Sequence, residues 1–129
     1  MLKEMNYLIK LNGMRENIVK EKSFDFALKI VAISRDIANN SKEFDLTRQL
    51  KRSGTAIGAL IRESEHAESK ADFIHKLSIS LKEANETEYW IDLLYKAGYM
   101  NDCQYNSIRF DIGELNRLLI SILKTLKNK

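Results

Sequence analysis

The chain has 129 residues, 44% hydrophobic and 30% charged, without proline, which excludes two full domains and favours long helices over a β-sandwich with many turns. Its single cysteine, Cys103, excludes an internal disulfide framework and fits a reducing cytosol. The formal net charge is only +3 and opposite charges are interleaved, so composition permits a basic partner surface without requiring one.

The N-terminal stretch, residues 1–22, is the least regular part of the sequence. Its few apolar residues suit a short amphipathic turn, but Gly13 interrupts them. We interpret it as a lead-in arm ahead of a bundle domain formed by residues 23–129. Acids and lysines break up its apolar residues, unlike a signal peptide, and no segment is apolar for long enough to span a membrane. We therefore expect a soluble cytoplasmic protein.

A first helix is predicted from Ser23, a residue type suited to an N-cap, to about Asn39. At about 100° per residue its apolar side chains fall on two nearly opposite arcs. The first arc contains Phe26, Ile30, Ile33 and Ile37, and the second contains Phe24, Ala27, Val31 and Ala38. A helix that is apolar on two sides is expected to have neighbours on more than one side.

A second helix is predicted from about Asp45 to Ala67. Its core stripe consists of Leu46, Leu50, Ser53, Gly54, Ile57 and Ile61. Gly54 and Gly58 lie in the middle of this helix, where each glycine costs about 1 kcal/mol relative to alanine. Such a cost indicates a close approach of another group to the backbone. A tight helix crossing is the favoured explanation, and contact with a ligand or phosphate is the alternative.

A third helix is predicted to begin after Ser69, which has Asp72 at capping-box spacing, and to run to Ala97 with Gly98 as its C-cap. Its core stripe consists of Phe73, Leu77, Leu81, Ala84, Ile91 and Tyr95. Glu88 projects into this stripe. Because an isolated buried charge is costly, we expect its carboxylate to be paired.

A second apolar set on the third helix points away from that stripe. It consists of Ile79, Trp90 and Leu93. One bundle core cannot bury both sets, so Trp90 is expected to be exposed. Exposed apolar patches usually mark contacts, and this set is the predicted subunit interface.

A fourth helix is predicted after Asn101, with Gln104 at the capping-box position, and should run to about Leu126. Its apolar stripe consists of Tyr105, Ile108, Ile112, Leu115, Leu119, Ile122 and Leu126, with Phe110 and Ile120 outside it. Four helices joined by short corners predict an all-α, up-down-up-down antiparallel four-helix bundle.

The residues with catalytic or metal-binding chemistry are few. Glu63 with His66 and Asp72 with His75 have the carboxylate-x-x-His spacing of di-iron bundles. Both pairs fall at one corner, His66 points away from the core stripe, and the fourth helix has no acid after Glu114, so one ligand is missing. Phosphate-loop and nucleophile-elbow motifs do not occur. We expect no metal, no other cofactor and no enzymatic activity.

The polar face of the second helix suggests that the protein binds nucleic acid. Arg48, Lys51, Arg52 and Arg62 lie within one arc. Cations on one rigid face can meet successive phosphates. Glu63 shares the arc, and a solvated face with internal salt bridges is the alternative. The sequence shows no aromatic platform beside the arc for stacking single-stranded bases.

Three stretches carry a resemblance to a known family. They are KSFDFA (residues 22–27), RSGTAIGA (52–59), and SKADFIHKLSISLKEANETEYW (69–90) followed by LLY (93–95). Their order and spacing resemble the bacterial four-helix bundle family named for the 23S ribosomal RNA intervening-sequence protein, over roughly residues 16–127. The chain departs from the family at Leu60, where asparagine is usual, and at Arg62, where alanine is usual.

This resemblance implies a helical bundle that assembles into a ring-shaped homo-oligomer. Relatives include the accessory protein of diversity-generating retroelements, a basic pentamer that binds nucleic acid and its reverse transcriptase, so a pentamer is expected. The family's molecular role is largely undefined. The leading hypothesis is a non-enzymatic protein that binds structured RNA or a ribonucleoprotein. The alternative is a protein-interaction scaffold or accessory subunit that binds no nucleic acid.

Overall fold

The computed structural model describes the backbone of residues 2–128 and the side chains of residues 17–128. The four helices are α1 (Leu2–Ser41), α2 (Asp45–Ser64), α3 (Lys70–Lys96) and α4 (Asp102–Lys127). No strand occurs within residues 2–128. Each helix packs on the next along the chain, and α1 also packs on α4. Since the corners are short, neighbouring helices run antiparallel, which confirms the predicted four-helix bundle.

The first helix is longer than the sequence predicted. It begins at Leu2 rather than at Ser23, which is not an N-cap but a buried residue inside α1. The Ser23 hydroxyl donates to the Lys20 carbonyl at 3.0 Å. Val19, four residues earlier, is also fully buried in the core. The helix continues through Gly13 because a single glycine costs only about 1 kcal/mol and no proline interrupts the segment.

The other helix boundaries follow the predicted caps closely. Ser69 Oγ accepts from the Asp72 backbone N–H at 3.0 Å, and α4 begins with a complete capping box between Asn101 and Gln104. Gly98, with a φ of 88°, follows α3 in the left-handed conformation that glycine adopts without strain. The second helix ends at Ser64, short of the predicted Ala67.

The core is an apolar column shared by all four helices. Its largest fully buried side chains are Phe26, Ile30, Leu50, Ile57, Leu77, Ile91, Leu94, Ile108, Ile112, Leu115, Leu119 and Ile122. Leu46, Leu81 and Tyr95, which the sequence placed in the core stripes, are only partly buried at its edge. Among the described residues, no helix is both long and apolar enough to cross a bilayer.

The small residues of α2 allow its neighbours to approach closely. Gly54 lies against Ile30 of α1, and Gly58 lies against Ser23. On the opposite side, Ser80 of α3 donates its hydroxyl hydrogen to the Ile57 carbonyl at 2.9 Å. The favoured explanation of the glycines, a tight helix crossing, is therefore confirmed.

Candidate nucleic-acid interface

The cations predicted on α2 all lie on its exposed face. Arg48, Lys51, Arg52 and Arg62 are exposed, while Leu50 and Ile57 on the other side of the helix are fully buried. This separation follows from the helical period, which turns the charged arc away from the apolar stripe. The structure nevertheless places the four cations in three different surroundings.

Arg52 is held by α3 through ion pairs. Its guanidinium donates to Glu83 at 2.8 Å and also to Glu86. The hydrogen bond to Glu83, with a further one to Glu86, raises the pKa of Arg52 above its usual value. The indole N–H of Trp90 donates to Glu86 at 3.1 Å, and this bond is the main reason that the pKa of Glu86 is lowered. The positive charge of Arg52 is therefore already neutralised by two carboxylates of α3.

Arg62 lies over an aromatic ring of α1. Its guanidinium carbon is 5.1 Å from the ring centroid of Phe24, which is a cation–π geometry. Phe24 remains 48% exposed and borders an open groove of about 660 Å³. Glu21 and Asp25 line the same groove, so its charge is mixed.

Arg48 and Lys51 face a second groove, which lies between α1 and α2 near their connecting corner. We call it the α1–α2 groove; its volume is about 380 Å³, and Arg35 of α1 brings a third cation to it. Arg48 approaches Asp45 at 3.6 Å, and both side chains are largely exposed. In the described part of the chain, Arg35 and Lys51 form no ion pair.

Sequence reasoning missed the aromatic residues beside these cations. Phe44, directly before α2, lines the α1–α2 groove and is 54% exposed. Phe24 lies beneath Arg62. The expectation of no aromatic platform is therefore wrong. Phe44 could have been noticed in the sequence because it is an aromatic residue within the otherwise polar corner KEFD. Phe24 was overlooked because it had been assigned to an apolar arc of α1.

The predicted subunit interface is less exposed than expected. Ile79, Trp90 and Leu93 are all half-buried, and Trp90 packs against the core. The expectation of an exposed tryptophan is wrong because the Trp90 ring packs against the core, while its N–H donates to Glu86 one turn earlier on α3. The exposed aromatic residue here is Tyr89, which is 59% exposed and meets Trp90 edge-on at 5.0 Å.

Glu88 has the partners that its position requires. Its carboxylate accepts from Arg109 at 3.0 Å and from the Asn116 amide at 3.4 Å. Burial alone would lower the pKa of Arg109, but the charges of Glu88 and Asp92 outweigh it and raise that pKa. This arrangement is a structural ion pair between α3 and α4, as predicted.

The remaining reactive side chains are dispersed over the surface. His66 and His75 are exposed, and Cys103 is an exposed free thiol. Within the residues that the structure describes, no three histidine, cysteine or acidic side chains are grouped so as to hold a metal ion.

Comparison with known proteins agrees with the resemblance found in the sequence. The family model for 23S rRNA-intervening sequence protein matches residues 15–121. The chain is similar to a crystal structure of a protein of unknown function from the S23 ribosomal protein family of Bacteroides thetaiotaomicron, with a TM-score of 0.83 and 55% sequence identity. The match covers 85% of this chain and 98% of that one. No curated protein matches.

Proposed function

Because the chain belongs to the 23S rRNA-intervening sequence protein family, we propose that it is a non-enzymatic protein that binds structured RNA or a ribonucleoprotein through the exposed cations of α2. The observation that carries the proposal is the pair Arg48 and Lys51. Both are exposed on one rigid helix, and the only ion pair of Arg48 in the described structure is a long, solvent-exposed contact with Asp45.

The four predicted cations do not contribute equally to this proposal. Arg48 and Lys51 are assigned to phosphate contacts, and Arg62 extends the same face from its place above Phe24. Arg52 is assigned a supporting role, because two carboxylates of α3 already neutralise it. Each phosphate contact releases condensed counterions, so affinity should fall steeply as salt rises.

Salt dependence of RNA binding tests the proposal. The double variant Arg48→Gln/Lys51→Gln should weaken binding of a structured RNA and reduce the slope of log affinity against log salt by about two, roughly one per lost contact. The control Lys82→Gln/Lys124→Gln removes the same charge from exposed positions on α3 and α4. Equal losses in the two double variants, or no binding by the wild type, would contradict the proposal.

We also propose that copies of the chain assemble into a ring-shaped homo-oligomer, with a pentamer as the expected state. The patch formed by Ile79, Tyr89, Trp90 and Leu93 on α3 is the proposed seam, supported by the exposed aromatic ring of Tyr89. Native mass spectrometry should show a lower subunit number for Leu93→Glu and an unchanged number for the control Ile120→Glu on α4. A monomeric wild type would rule the seam out.

A second candidate function is a protein-interaction scaffold, and one observation favours it. Phe110 and Ile120 are 66% and 51% exposed on the outer side of α4, away from the cationic face. Isolation at low salt without nuclease separates the two functions. Nucleic acid that co-purifies and is released by salt supports RNA binding. Nucleic-acid-free protein whose partner capture is insensitive to salt supports the scaffold. The free thiol of Cys103 fits a cytoplasmic location for either function.

A further inference from the structure

We propose that the α1–α2 groove holds one unpaired nucleotide of the bound RNA, with its base against Phe44 and its phosphate on Arg35, Arg48 and Lys51. This inference rests on the proposed function and specifies which part of an RNA the groove takes. Sequence-specific recognition of a folded RNA takes place mainly at its single-stranded loops, bulges and ends, where bases are free to leave the stack.

The first support is the charge of the groove. Cations from two helices converge on it, Arg35 from α1 and both Arg48 and Lys51 from α2. Three cations outnumber the two acidic side chains of the corner, Glu43 and Asp45. Asp45 is 90% exposed at 3.6 Å from Arg48, and Glu43 accepts hydrogen bonds from the first backbone N–H groups of α2. A phosphate entering the groove would therefore meet an excess of positive charge.

The second support is an unsatisfied hydroxyl. Ser34 lines the groove, is only 3% exposed, and its Oγ has no hydrogen-bond partner among the described residues. Buried serines elsewhere in the described chain do have partners: Ser23 donates to the Lys20 carbonyl and Ser80 to the Ile57 carbonyl. A buried hydroxyl without a partner has lost its hydrogen bonds to water, so an acceptor oxygen that reaches it from the groove would remove a penalty already present.

The third support is the aromatic wall. Phe44 borders the same groove as the cations and leaves 54% of its surface exposed. Bases of any identity can stack on such a ring, because every base has a flat π face. The groove volume of about 380 Å³ falls within the range of small-ligand sites. Inside a double helix each base is stacked on both faces and paired along its edge, so only an unpaired nucleotide can insert its base beside this ring.

Paired binding measurements test the inference. Fluorescence anisotropy would compare a single-stranded oligoadenylate with a blunt RNA duplex of the same length. Phe44→Ala should weaken binding of the single strand about ten-fold, the effect of about 1.4 kcal/mol, and leave duplex binding unchanged. Phe44→Tyr keeps the ring and should restore single-strand affinity. Phe110→Ala removes an exposed phenylalanine of α4, away from the cationic face, and serves as the matched control.

Ser34→Ala separates a ligand-binding role from a structural one. Removing a hydroxyl that has no partner should not lower the melting temperature, yet it should weaken single-strand binding several-fold. A loss of stability without a loss of affinity would show that Ser34 only supports the fold.

The outcomes distinguish this inference from the function on which it rests. If the wild type binds RNA but neither Phe44→Ala nor Ser34→Ala changes single-strand affinity, the groove is not the nucleotide site and the proposed function stands. Equal weakening of single-strand and duplex binding by Phe44→Ala would also overturn the inference. If the wild type binds neither the single-stranded oligoadenylate nor the RNA duplex, the proposed function and the inference fail together.

Discussion

Gly54 of α2 lies so close to Ile30 of α1 that a Cβ added to the glycine would be 2.9 Å from Ile30 Cγ2. Ile30 is fully buried, and its β-branched side chain has little freedom to move away. Glycine is therefore required here for packing, since the helical backbone itself would prefer alanine. This contact, together with that of Gly58 with Ser23, brings α1 and α2 close together.

Replacement of this glycine should be costly. Gly54→Ala is expected to lower the free energy of unfolding by about 1–3 kcal/mol, because overpacking outweighs the gain in helix propensity. Gly58→Ala is the matched control, since its Cβ would lie 3.2 Å from the Ser23 hydroxyl, a milder contact than the 2.9 Å at Gly54. Chemical denaturation measures both. A Gly54→Ala protein as stable as Gly58→Ala would show that the crossing is not tight.

The ion pairs of Arg52 predict a difference between neighbouring cations. Arg48→Gln should reduce the salt slope of RNA binding by about one, whereas Arg52→Gln should leave it nearly unchanged. The stability loss for Arg52→Gln should stay within about 1 kcal/mol, as is usual for exposed ion pairs. Equal effects of the two variants on the salt slope would mean that Arg52 leaves Glu83 and Glu86 when RNA binds.

The bond from Trp90 to Glu86 gives a pH prediction. Because the pKa of Glu86 is lowered in the folded protein, its contribution to stability is present above the usual value of 4.5 and is lost as pH falls through the lowered pKa. Trp90→Phe removes the N–H donor and should move this pKa upward, toward 4.5. Carboxyl NMR titration measures the shift. Tyr89→Phe keeps the donor and should leave the titration of Glu86 where it is.

The capping box of α4 gives a stability prediction. Asn101 Oδ1 accepts from the Gln104 backbone N–H at 2.7 Å, so Asn101→Ala leaves that donor without its partner. We expect a loss of about 0.5–2 kcal/mol in thermal or denaturant unfolding. Asn106→Ala, at an exposed position inside the same helix, is the control and should be neutral or slightly stabilising. A neutral Asn101→Ala would show that water caps the helix equally well.

The sequence predicted most of the local structure because the relevant interactions are short in range. Ser69 and Asn101 signalled the starts of α3 and α4, and Gly98 signalled the end of α3. The start of α1 was missed because Ser23 satisfies its hydroxyl within the helix, through the Lys20 carbonyl. A residue type that suits an N-cap can also occur inside a helix, and only its surroundings decide which.

The candidate site was only partly visible from the sequence. The helical period of α2 placed Arg48, Lys51, Arg52 and Arg62 on one face. It could not reveal that Arg52 forms ion pairs with carboxylates of another helix, because Glu83 is 31 residues further along the chain. The same limit applies to the α1–α2 groove, whose lining residues come from α1, from α2 and from the corner between them.

By itself, then, the sequence determined the four helices of residues 2–128, most of their ends, and the family, because capping, periodicity and motif spacing are properties of neighbouring residues. Tertiary structure alone decided which cations of α2 remain outside ion pairs with other helices, and that Trp90 is half-buried rather than exposed. It also decided that Ser34, Arg35 and Phe44 line the same groove as Arg48 and Lys51. These properties depend on how closely and at which rotation two helices pack. That packing is set at contacts such as Gly54 with Ile30, which join residues distant in the chain.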